Sequence, residues 1–137
     1  MNKNKFVVSV VGGVLAAFVW YMVIALLFSA GADSTSNLGF LFWILVVIVS
    51  YLLYKRTTRA KHAAGWACVL LSTGSFAIPL SVFIWSARYT AGVASEGGTA
   101  AAIGAGLGGA MVLGIGVVLG LFLGLIFAVA AYFLLKK

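Results

Sequence analysis

Acidic residues are almost missing from this chain. Its 137 residues include two, Asp33 and Glu96, against nine Lys and Arg. Neither acid lies inside an apolar run. That leaves no intramembrane carboxylate of the kind proton-coupled carriers use. Cysteine and histidine occur once each, which excludes an internal disulfide and any Cys/His metal set. There is no nucleophile–base pair, no phosphate loop and no haem ligand set, so neither catalysis nor a cofactor is expected. Charge of either sign is scarce. Asp, Glu, Lys and Arg make up 8% of the chain, where a soluble domain has about 25%. With a mean hydropathy of +1.21, this composition predicts one integral membrane domain covering residues 1–137. The net charge of +7 sits in loops and termini, so it predicts topology rather than a nucleic-acid partner.

What is there is four apolar runs, at about 6–30, 38–54, 63–89 and 100–135. They predict an all-α fold, a four-transmembrane-helix bundle with a long glycine-rich last helix. Residues 6–30 have a competing reading as a secretory signal, because Lys3 and Lys5 precede them and Ala30-Gly31-Ala32 suits cleavage. The run is longer than the roughly 7–15 residues of a signal core, which favours a span. Asn37 is a candidate cap for the second helix. That helix has aromatic residues near both ends and almost no small residue, so it is expected to be the most lipid-exposed.

The last run has the strongest pattern. On a helix, Gly98, Ala102, Ala105, Gly109, Gly116, Gly120 and Gly124 share one flank. Small residues at this spacing let two helix backbones approach. The expected partner is the first helix, through Ser9, Gly13, Ala17 and Ala25; the alternative is another copy or another protein. Leu119, Phe122, Leu123, Phe127 and Tyr132 lie mostly off the flank. At 36 residues, Ala100–Leu135 is about 54 Å of helix, well beyond a hydrocarbon core of about 30 Å. Ala100–Gly109 is therefore expected to project, to lie at the interface, or to form a broken half-helix. The alternation of Gly104, Gly106 and Gly108 resembles the rotor rings of ATP synthases, but their ion-binding carboxylate has no counterpart here.

The third run is the most polar. Pro79 cannot donate to the carbonyl of Ser75, which predicts a bend there. Nearby hydroxyls are expected to take up the freed carbonyl. Ser72, Thr73, Ser75 and Pro79 are the candidate lining of a solute path. Arg88 is a candidate ion-pair partner of Asp33 or Glu96. The loop Lys55–His62, KRTTRAKH, reads first as topogenic charge and second as an anionic-lipid or partner site.

Eight Lys and Arg fall in the N-terminus, the middle loop and the C-terminus, and one, Arg88, falls on the other side. This asymmetry predicts cytoplasmic N- and C-termini, in a bacterial inner membrane. The leading functional expectation is a non-catalytic membrane protein that works by helix–helix association, as a homo-oligomer or as a subunit of a larger assembly. Its partners would be the lipid bilayer and other membrane helices. The alternatives are a small channel or transporter for a neutral or anionic solute, and a membrane immunity or phage-related protein.

Overall fold

The structure is a computed structural model and describes residues 3–28 and 35–136. Helix α1 is Lys3–Phe28 and helix α2 is Thr35–Arg56. A third helical stretch runs from Ala60 to Leu135 and is broken at one residue, Gly98. Gly98 has φ 73° and ψ −173°, a region essentially restricted to glycine. The two membrane-length helices of the stretch are α3, Ala60–Val93, and α4, Gly97–Leu135, with Gly98 at the second residue of α4. All four helices are long and apolar enough to cross a membrane, and the described residues form no strand.

Each helix begins before the apolar run that predicted it. Helical hydrogen bonding continues through flanking polar residues, whereas hydropathy reports only their solvent preference. Hence α2 begins at Thr35, and Asn37 lies in its first turn rather than capping it. The basic loop shrinks to Thr57–Arg59, with Lys61 and His62 already in α3. The Thr57 hydroxyl donates to Leu53 O at 2.6 Å and closes the end of α2. Ala100–Gly109 is continuous helix, so the interruption expected within it lies instead at Gly98.

The bundle is open, with the spatial order α2, α1, α3, α4. Helix α1 lies between α2 and α3, while α2 scarcely touches α3. A Cβ on Gly12 would stand 2.7 Å from Ala67 Cβ of α3. A Cβ on the next residue, Gly13, would collide with Ser50 of α2. Adjacent glycines thus serve opposite neighbours. Higher in the same interface, Gly74 lies under Val19, and the Trp20 indole donates to Leu70 O at 3.2 Å. Ala16 and Ala17 are fully buried.

One end of the molecule gathers cations against aromatic rings. Lys5 Nζ lies 4.4 Å from the centroid of Tyr54, and Lys136 Nζ lies 5.7 Å from that of Tyr132. Lys61 Nζ reaches Lys136 O at 3.4 Å, which ties the start of α3 to the end of α4. At the opposite end Arg88 donates to Leu27 O at 2.8 Å, capping the last turn of α1. Of the acids expected to pair with Arg88, Asp33 lies outside the described residues, as does the side chain of Glu96.

Candidate helix-docking interface

The flank of small residues on α4 packs against α3, not against α1. The reason is the connection. A break of one residue brings α4 straight back along α3, while the small residues of α1 are occupied by α2 and α3. Facing residues are nearly equidistant from Gly98. Gly109 meets Ser86, Gly116 meets Val82, Gly120 meets Pro79 and Gly124 meets Phe76. At the far end of the hairpin Gly65 meets Leu135.

Contact is tightest at Gly120. A Cβ there would lie 2.7 Å from both Pro79 Cδ and Ser75 O. One Cα–H of Gly120 therefore points at the carbonyl that Pro79 leaves without its helical donor. Among the described residues no hydroxyl donates to Ser75 O, contrary to expectation. The hydroxyls bond elsewhere: Ser81 to Ala77 O and Ile78 O, Ser86 to Phe83 O, and Thr90 to Ser86 O. The backbone around Pro79 stays helical, and the one departure in α3 and α4 is Gly98.

Of the candidate solute-path residues, Ser72, Ser75 and Pro79 face α4, and Thr73 does not. Ser72 is buried and donates across the hairpin to Gly124 O at 2.9 Å. Ser75 is buried at the Gly120 contact, its hydroxyl without a partner. Thr73 is exposed and bonds back to Val69 O and Leu70 O. Between Ser75, Pro79 and Gly120 the packing leaves no gap.

Toward Gly98 the hairpin is bordered by two shallow grooves, one on each side of the Gly109–Ser86 contact. The first, of about 540 Å³, lies between Phe83, Ala87 and Thr90 of α3 and Gly106 and Leu113 of α4. The second, of about 560 Å³, has Trp85 and Tyr89 as one wall and Ala101, Gly104, Gly108 and Val112 as the other. The two rings are stacked, with centroids 5.3 Å apart and planes 9° apart.

Comparison with protein-family models, with curated proteins and with solved structures gives no match.

The second groove is lined by a sequence pattern separate from the flank that ends at Gly124. Gly97, Ala101, Gly104 and Gly108 follow a spacing of 4, 3 and 4 and form a separate stripe on α4. Gly104 and Gly108 are exposed, with nothing within 4 Å of where a Cβ would stand. The signal was present in the sequence, but the longer flank through Gly124 overshadowed it. Gly109, Gly116, Gly120 and Gly124 are brought together on one partner, α3. Gly13 faces α2 and so belongs to a different contact, and Ala17 is buried in α1.

Proposed function

We propose that this chain is a non-catalytic polytopic protein of the bacterial inner membrane that works by docking its α4 face against another membrane helix. The partner is a second copy or a subunit of a larger assembly. The observation that carries this reading is the exposed pair Gly104 and Gly108, which no helix of this chain covers. Glycine facing lipid gains no packing, and in a helix it sacrifices about 1 kcal/mol relative to alanine in water. Against a second helix the same glycines permit close backbone approach. The inner flank of α4 is already used by α3, so it supports hairpin formation rather than assembly. Both termini lie in the cytoplasm in this reading. Support comes from Lys5, Lys55, Arg56 and Lys136, each beside an aromatic ring at one end of the helices, and from Lys61, which bonds Lys136 O at that end.

The test is the mass of the intact complex after extraction in mild detergent. The native chain is expected to run as a multiple of 14.3 kDa or within a larger complex. A chain carrying Gly104→Leu and Gly108→Leu is expected to remain helical and to run alone. A native chain that is monomeric both in detergent and in lipid discs would contradict the proposal.

A further inference from the structure

A third cavity lies away from the hairpin, at the cation-rich end. It is a cleft of about 200 Å³ between α2 and α3, with Val49 and Leu53 on one wall and Trp66 and Leu70 on the other. It exists because Gly12 of α1 draws Ala67 of α3 close, while α2 packs on α1 and leans away from α3. Arg56 stands at its mouth, the guanidinium 5.5 Å from the centroid of the Trp66 ring. The one hydroxyl on the lining, that of Thr57, is already bonded to Leu53 O. The interior therefore offers nothing to a polar solute. Arg56 is the one charged residue on the lining, and the stretch of sequence around it, Lys55 to Lys61, contains no acid.

We propose that this cleft seats one acyl chain of an anionic phospholipid, with its phosphate on Arg56. Two observations choose this occupant. An apolar slot facing hydrocarbon takes a flexible chain, and the Arg56 guanidinium at its mouth complements a phosphate carrying net negative charge. The guanidinium fork is suited to two phosphate oxygens while its face rests on the indole. The proposal rests on the membrane reading above but is independent of the association through α4.

Native mass spectrometry tests it on full-length protein extracted from membranes, stripped of lipid, and titrated with dioleoylphosphatidylglycerol or dioleoylphosphatidylcholine. Recovery in the membrane fraction checks the membrane reading before any lipid is added. One phosphatidylglycerol per chain is expected to be retained in preference to phosphatidylcholine. Arg56→Gln should weaken that retention about fivefold, the factor given by about 1 kcal/mol per basic residue at an anionic surface. Lys61→Gln, at the same end but outside the cleft, should change it far less. Val49→Phe fills the slot and should abolish preferential retention while circular dichroism shows an unchanged helix content. Equal retention of the two lipids, equal weakening by Arg56→Gln and Lys61→Gln, or full retention in Val49→Phe would each overturn the proposal. So would a second copy of the chain displacing the lipid.

Discussion

Gly120 fits against Pro79 so closely that a methyl group on its Cα would stand 2.7 Å from the proline Cδ. The two residues complete each other. Proline removes a donor from the Ser75 carbonyl, and glycine brings a Cα–H to that oxygen from the neighbouring helix. Gly120→Leu is expected to loosen the α3–α4 hairpin by about 1–3 kcal/mol, the usual range for overpacking. Leu119→Ala, at an exposed neighbour, should have a smaller effect. Unfolding of the isolated chain in detergent checks this. Equal stability of the two variants would mean that the Gly120 contact does not hold the hairpin.

Two serines one turn apart make a second comparison. Ser72 donates to Gly124 O across the hairpin, whereas the buried Ser75 hydroxyl has no partner. Ser72→Ala should destabilise by about 0.6 kcal/mol, the average for an interhelical hydrogen bond in a membrane protein. Ser75→Ala removes an unsatisfied polar atom, and should be neutral or stabilising. The same unfolding assay separates them. A larger loss at Ser75 than at Ser72 would show that the Ser75 hydroxyl has a bond that the static arrangement does not display.

The helices were legible because long apolar runs without carboxylates have few other structures open to them. Which helix meets which was less legible. The rhythm Gly109, Gly116, Gly120, Gly124 marks a contact flank but is silent about the partner, since any helix with a compatible surface suffices. The partner follows from Gly98, where one backbone conformation turns α4 back onto α3. A Gly97–Gly98 pair in a glycine-rich region does not announce that conformation. Pro79 marked the carbonyl that loses its helical donor, but not what would meet that carbonyl. The approach of Gly120 to Ser75 O is a tertiary contact and is invisible to local spacing. The α2–α3 cleft was illegible for a similar reason, as it depends on α2 leaning on α1.

The clustering of cations at one end leads to an orientation experiment. A phosphatase active only outside the cytoplasm should give signal when fused after Glu96, close to the Gly98 turn. Fused after Lys137 it should be silent. Arg88 is the one basic residue on the turn side, against eight on the other. Activity at Lys137 with silence at Glu96 would invert the orientation, and activity at both would require a reversal within α4. The uninterrupted helix from Gly104 through Gly124 gives no place for one.

Gly98 itself is the most exposed to mutation in this reading. Its φ of 73° with ψ of −173° lies outside the left-handed helical region, where Asn and Asp are tolerated. Gly98→Ala and Gly98→Asn are therefore both expected to strain the turn, each by about 1–3 kcal/mol. At an ordinary left-handed position Asn would relieve much of that strain. Space is not the issue, because nothing lies within 4 Å of a Cβ at Gly98. The penalty would be purely conformational. Gly92 supplies the control: it is exposed, helical and equally uncrowded. Gly92→Ala should leave stability unchanged or raise it by up to about 1 kcal/mol. Pairs of spin labels on Thr90 and Leu107 would report the separation of the two arms. In Gly98→Ala the distance should lengthen or broaden, and in Gly92→Ala it should match the native chain. If Gly98→Ala keeps both the stability and the native distance, the reversal does not depend on glycine, and the pairing of α4 with α3 has to be held by the flank from Gly109 to Gly124 alone.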